Sequence, residues 1–204
     1  HLPPVMILGG DVNAVSVARS LAAWRIPVFA VNKPGAVVGG SRFARQIPCR
    51  ITGAREEEWV DFLAGSASDP WRGAVLLAAS DAALQVLALQ RDFLAAKFRL
   101  DASYPRAQLC MLNKLCTYNA AVAAGVATPR FWSCSSLSQV QDFREQLVFP
   151  LIIKPQLSHL FVAKFGEKFL VVNNYDQLTA SLQLIDGEEL EVFLVELLPG
   201  GDSC

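Results

Sequence analysis

The sequence has little histidine, little charge and no cysteine spacing that would hold a metal. Two histidines stand among 204 residues, and the five cysteines (Cys49, Cys110, Cys116, Cys134, Cys204) are scattered without a CxxC pair. A structural zinc site is thereby excluded, and the pattern fits a reducing compartment, the cytoplasm. Neither sign of charge is in excess. Lys and Arg number 18, Asp and Glu 19, and the net charge is −1, which excludes a nucleic-acid surface and an anionic-membrane surface. No apolar run approaches the ~20 residues of a membrane span, and His1-Leu2-Pro3-Pro4 is not the start of a signal peptide. Internal repeats and low-complexity segments are missing too. What remains is a sequence that is 52% hydrophobic and 18% charged, enough to build a core for one large domain or two small ones.

The front of the chain alternates strand and helix signals. Val5-Met6-Ile7-Leu8 reads as a strand and Gly9-Gly10 as the turn after it. Asp11 or Asn13 is placed to cap a helix with Val12, Val15, Val17, Ala18, Leu21 and Ala22 on its apolar face. Pro27–Val31 is a second strand, which makes a right-handed βαβ unit and a parallel sheet. A short strand is expected near Gln46–Cys49, a helix from Glu56, a buried strand over Ala74–Ala79 and a helix from Ser80-Asp81 through Leu89. The region from Leu100 to Pro105 reads as irregular. Asn113-Lys114 opens a helix through Ala124, and Gly125 ends it. Ala127-Thr128-Pro129 reads as a linker.

Past that linker the order is strand, helix, strand, strand, helix, strand. Phe131-Trp132 starts the first strand, and Ser135 or Ser136 caps the helix. The later strands are Leu151–Lys154, Phe169–Val172 and Glu191–Glu196, with a helix from Asp176 to about Ile185. This order predicts a ferredoxin-like antiparallel sheet.

Several residues could carry chemistry. Lys154 ends the run Phe149-Pro150-Leu151-Ile152-Ile153-Lys154-Pro155, a strand buried on both faces. Its ammonium either snorkels to solvent or meets an anion. Lys114 opens a helix, where a cation opposes the dipole; it is either solvated or paired with an anion. Lys164 and Lys168 flank Phe165-Gly166-Glu167, either a solvated hairpin turn or a mobile basic loop that closes over phosphates. Glu196 ends a strand before Leu197-Leu198-Pro199-Gly200-Gly201, and is either solvated or in a cleft. Gly9-Gly10 allows either a tight turn or an approaching anion. Ser80-Asp81 is either a helix cap or part of a ligand site at the carboxyl end of the sheet. His159 has no visible partner in the sequence and is given no role.

Taken as a series, these segments resemble the front half of an ATP-grasp carboxylate–amine ligase of the D-aspartate-ligase-like branch. The residues that carry the resemblance are Val5 to Gly10, Ser41-Arg42-Phe43, Ala78 to Asp81, Asn113-Lys114-Leu115 through Ala124-Gly125-Val126-Ala127-Thr128-Pro129, Phe149 to Pro155, and Val195 to Asp202. The resemblance implies an α/β protein: a pre-ATP-grasp open parallel sandwich (1–104), connecting helices (105–129), and a small α+β lid subdomain with its hinge strand (130–204). The C-terminal subdomain is expected to be missing.

The resemblance also implies roles. Lys114 and Lys154 would bind the α and β phosphates of ATP, and Lys168 falls on a matching lysine. Glu196 and the backbone of Leu197 and Leu198 would face the adenine. Mg2+ ligands and the catalytic residues are expected beyond Cys204, so this part alone is expected to be inactive. The implied substrates are a small carboxylate and an amine, and homo-oligomerisation is compatible with the resemblance. The segment from Gln156 to Gly166 departs from the pattern: it is nearly free of glycine where many members have a Gly/Ser-rich phosphate loop. A different kind of protein remains open as well, a non-catalytic nucleotide-binding or partner-binding module on the same fold.

Overall fold

The computed structural model describes residues 2–49, 51–52, 56–134, 137–188 and 190–200. The chain forms two compact units, His1–Leu109 and Cys110–Cys204.

The first unit is built on a four-stranded parallel sheet. Its strands are β1 (Val5–Leu8), β2 (Val28–Val31), β3 (Arg45–Gln46) and β4 (Val75–Ala78), in the order β3-β2-β1-β4. Every residue of β1 is buried, because helices cover both faces of the sheet. Met6 and Leu8 pack with Trp59 and Leu63 of α2 (Glu56–Ala64) and with Val86 and Leu87 of α3 (Asp81–Leu89). Val5 and Ile7 pack with Ala14 and Ala18 of α1 (Val12–Ala23). A strand covered twice has no polar face to alternate, which is why β1 reads as a continuous apolar run.

The short third strand is shifted from its expected place. Only Arg45 and Gln46 pair with β2, and both are exposed. Pro48 has no N–H to extend the ladder. Between Leu89 and Lys114 two helices went unread in the sequence, α4 (Arg91–Ala95) and α5 (Pro105–Leu112). Pro105 at the first helical position was the available signal for α5, since proline's fixed φ suits that position and its missing N–H is not needed there.

The second unit begins with α6 (Lys114–Ala123) and continues through β5 (Phe131–Cys134), α7 (Leu137–Asp142), β6 (Leu151–Pro155), α8 (Ser158–Phe165), β7 (Leu170–Val172), α9 (Tyr175–Asp186) and β8 (Val192–Glu196). The sheet is antiparallel as expected, but its order is β5-β8-β6-β7. A ferredoxin-like sheet would carry the last strand at an edge. Here β8 lies inside, between the first two strands, and its Val192, Phe193, Leu194 and Val195 are all buried. The apolar run Val192–Val195 suits a central strand, because both its faces are covered.

One face of this sheet carries the main core. Leu151, Ile153, Val172, Val192 and Leu194 pack with Val140 of α7, Phe161 of α8, and Leu178, Leu182 and Ile185 of α9. On the other face Tyr118 of α6 meets Phe131 and Phe193 edge-on, with ring centroids 5.2 and 5.4 Å away. The serines expected to cap α7, Ser135 and Ser136, lie outside the described residues. Among the described residues no helix is long and apolar enough to cross a membrane.

Candidate functional site

The corner where α6 begins and β6 ends is held together by hydrogen bonds. Asn113 caps α6: its side-chain oxygen accepts from the Cys116 N–H at 2.9 Å. The same side chain donates from its nitrogen to Gln156 Oε1, also at 2.9 Å. The backbone N–H of Lys114 donates to the carbonyl of Gln156 at 2.9 Å. Lys114 is thus anchored beside the residue that follows β6.

Lys154 comes to the same corner from the sheet. It lies opposite Phe193 of β8, on the face toward α6. Its Nζ donates to the Tyr118 hydroxyl at 3.3 Å and stands 5.1 Å from the centre of that ring. Tyr118 follows Lys114 by four positions, so the two share one helix face. The contacts of this half-buried side chain are thus a hydroxyl and a π face rather than a carboxylate. Among the described residues neither Lys114 nor Lys154 forms an ion pair.

Lys168 lies in an exposed bend two residues before β7, whose first residue, Leu170, pairs with Ile153 in antiparallel register. The Gln156 N–H donates to the carbonyl of Glu191, the residue just before β8. By the alternation of an antiparallel ladder, the amide position of Pro155 therefore faces the β7 side, where β7 has already stopped. Proline is tolerated inside this central strand because its missing N–H falls where no partner stands.

Glu196 is elsewhere. It pairs opposite Leu151, three positions along β6 from Lys154, or ~10 Å at strand rise. By alternation it shares the face of Leu194, the face opposite Lys154. Its carboxylate accepts from the Arg130 backbone N–H at 3.1 Å and pairs with Arg130 Nε at 3.4 Å. These bonds, the backbone one first, hold its pKa below the ordinary value. Leu197 and Leu198 follow the strand and are exposed. The structure therefore brings Lys114 and Lys154 to one end of β6 and sets Glu196, Leu197 and Leu198 at the other.

Other expectations change with the structure. Ser158–Phe165 is helical, closed by Gly166 in the left-handed conformation at φ 73°. Lys164 belongs to that helix and pairs with Glu188 at 2.6 Å, so it is not part of a basic loop with Lys168. The glycine-poor segment has the spacing of an amphipathic helix: Phe161 is fully buried, and Phe165 packs 4.7 Å from it.

In the first unit Gly9-Gly10 serves packing. A Cβ on Gly9 would fall 2.3 Å from Ser80 Oγ, and one on Gly10 would fall 2.8 Å from the Ala79 carbonyl. Both have positive φ. Ser80 is the helix cap, accepting from the Ala83 N–H at 3.3 Å. The residues that the sequence did not mark are Tyr118, Gln156 and Arg130. The first was legible from its spacing to Lys114, and the last two only from strand pairing.

A parallel α/β unit followed by this four-stranded antiparallel sheet is a fold shared with about half the length of several solved ligases and synthetases. The solved structures that share it include the L-amino acid ligase from Bacillus licheniformis, at 15% identity and a TM-score of 0.72, over 98% of this chain and 45% of that one. The carboxyaminoimidazole ribonucleotide synthase from Aspergillus clavatus complexed with ATP aligns at 14% identity and a TM-score of 0.71, over 96% and 47%. The N5-carboxyaminoimidazole synthetase from Staphylococcus aureus complexed with ADP aligns at 17% identity and 0.68, over 96% and 48%. The chain spans about half the length of these proteins. No family model and no curated protein matches the sequence.

Proposed function

We propose that this chain is the N-terminal part of an ATP-dependent ligase that activates a carboxylate as an acyl phosphate and joins it to an amine. In this reading residues 1–104 are the pre-ATP-grasp domain, 105–129 connecting helices, and 130–204 the lid subdomain and hinge strand. The observation that supports it is the corner at Gln156. Two lysines without ion-pair partners among the described residues, Lys114 and Lys154, are brought there by separate elements, and Lys168 lies in the bend that leads into the next strand.

The residues fit a polyphosphate. Lysine is a compact point charge suited to phosphate oxygens. The Tyr118 hydroxyl orients the Lys154 ammonium, and the Asn113 cap and Gln156 carbonyl fix the backbone of Lys114. Their contribution is to position and neutralise the phosphates. In this reading the backbone of Leu197 and Leu198, ~10 Å along the strand, faces the base end of an extended nucleotide, and Glu196, on the face opposite Lys154, would meet the base only at the strand's end. Among the described residues no group of three His, Cys, Asp or Glu side chains could hold a metal ion, so in this reading they supply no ligand set for Mg2+. The working compartment of the intact protein is the cytoplasm, and its substrates are a small carboxylate and an amine.

One observation favours a second reading, a nucleotide-binding or partner-binding module without chemistry. Helix α8 occupies the place where the resemblance leads one to expect a phosphate loop, and its internal amides are spent on helical hydrogen bonds. Two measurements separate the readings. Calorimetry with ATP on the 204-residue chain is expected to show binding that Lys154→Ala strongly weakens. The intact protein, given ATP with mixtures of carboxylates and amines, is expected to release ADP. Binding without any such release would support the nucleotide-binding module, and absence of ATP binding would remove the ligase and leave only a partner-binding module.

A further inference from the structure

Cys110 and Cys116 are joined by a disulfide, with Cα atoms 5.2 Å apart, inside the span such a bond requires. Cys110 lies in the last turn of α5 and is half-buried. Cys116 is the third residue of α6 and is exposed. The loop they close contains Asn113 and Lys114. Cys116 is also the residue whose N–H the Asn113 cap receives, and Thr117 Oγ1 donates to the Cys110 carbonyl at 2.8 Å. The crosslink therefore fastens the turn that presents Lys114 to the end of β6.

We propose that Cys110 and Cys116 form a reversible thiol switch, closed when oxidised to fix Lys114 against Gln156 and open when reduced to release it. Only the effect on nucleotide rests on the function proposed above; the effect on the corner does not. Closing needs a low-molecular-weight disulfide such as oxidised glutathione. The Cys116 thiolate attacks one of its sulfurs and expels a thiolate. The Cys110 thiolate then attacks Cys116 Sγ in the mixed disulfide and expels the second. Two electrons and two protons pass from the cysteines to the oxidant, which leaves as two thiols. An exposed cysteine beside a half-buried one suits that order of attack and resolution. Cys134 does not compete: it is buried, and burial pushes its thiol up to about 11. A bond of this kind in a cytoplasmic protein is regulatory rather than structural, which reconciles the crosslink with the reducing compartment read from the sequence.

The test uses the 204-residue chain equilibrated with reduced or oxidised glutathione. Peptide mapping of the alkylated protein is expected to give a linked Cys110–Cys116 peptide in the oxidised sample and two alkylated cysteines in the reduced one. Amide exchange at Lys114 and Cys116 is expected to speed up at least tenfold on reduction, with β6 and β8 unchanged. ATP affinity is expected to fall about fivefold or more, the lower end of ordinary coupling between sites. In the Cys110→Ser/Cys116→Ser variant, reductant is expected to change neither reading. No linked peptide, equal exchange in both states, or a redox response surviving in the double variant would each overturn the switch. Redox-dependent exchange without ATP binding in either state would uphold the switch and remove the nucleotide reading alone.

Discussion

The Nζ of Lys154 donates to the Tyr118 hydroxyl at 3.3 Å while standing 5.1 Å from the centre of the same ring. Tyr118 in turn packs edge-on against Phe131 and Phe193. The lysine is therefore aimed by an aromatic cluster that also joins α6 to the sheet. Removing the ammonium and removing its support should have different consequences.

Lys154→Ala removes a charged donor, a contact of about 1.5–3 kcal/mol. ATP affinity is expected to fall roughly 10- to 100-fold, at about 1.4 kcal/mol per tenfold. Melting temperature should stay near that of the unchanged chain, because no ion pair is lost among the described residues. Calorimetry and a thermal melt check both parts. Unchanged ATP affinity in this variant would remove Lys154 from the site.

Tyr118 separates packing from hydrogen bonding. Tyr118→Phe keeps the ring and loses only the hydroxyl, so stability is expected to fall by about 1 kcal/mol or less. Tyr118→Ala also empties the space between Phe131 and Phe193, at a cost of about 3 kcal/mol by analogy with other aromatic truncations. Denaturant midpoints of the two variants give the comparison, and equal losses would contradict the packing role.

What was legible in the sequence followed from patterns that are local. β1 and the Asn113 cap depend on neighbours a few residues away. So does the Gly166 turn, although its role as the end of α8 did not show. The order of the second sheet was not legible, because nothing in Val192–Val195 says which strands it will separate. The Glu196–Arg130 pair is 66 residues apart in sequence and exists only once β5 and β8 are in register. Helix α8 was missed because glycine content was read for a loop, while the i, i+4 spacing of Phe161 and Phe165 marks a helical face.

Gly10→Ala is expected to destabilise the first unit strongly. Gly10 has φ 77°, and a Cβ there would lie 2.6 Å from Ala79 Cβ and 2.8 Å from its carbonyl oxygen. The left-handed conformation alone costs a non-glycine residue about 1 kcal/mol or more, and the clash adds roughly 1–3 kcal/mol. Gly35→Ala, with nothing within 4 Å of its Cβ, is the comparison that carries the backbone cost without the clash. Urea midpoints should therefore fall further for Gly10→Ala than for Gly35→Ala. Similar midpoints for the two would show that the turn relaxes around the methyl group.

Acid should weaken the end of β8. The Arg130 backbone N–H, and then its side chain, hold the Glu196 pKa below the ordinary value of 4.5. The unfolded chain therefore binds this proton more readily than the folded one, and stability contributed by the pair rises with pH. That contribution is complete above pH 4.5 and is lost as pH falls through the depressed folded value. Glu196→Gln removes the titration. The difference in melting temperature between the two proteins should be constant at neutral pH and shrink steadily below pH 4.5. Because the pair is solvent-exposed, added salt should also reduce its electrostatic part at pH 7. A difference that stays the same down to pH 2.5 would show that the carboxylate charge does not hold Arg130.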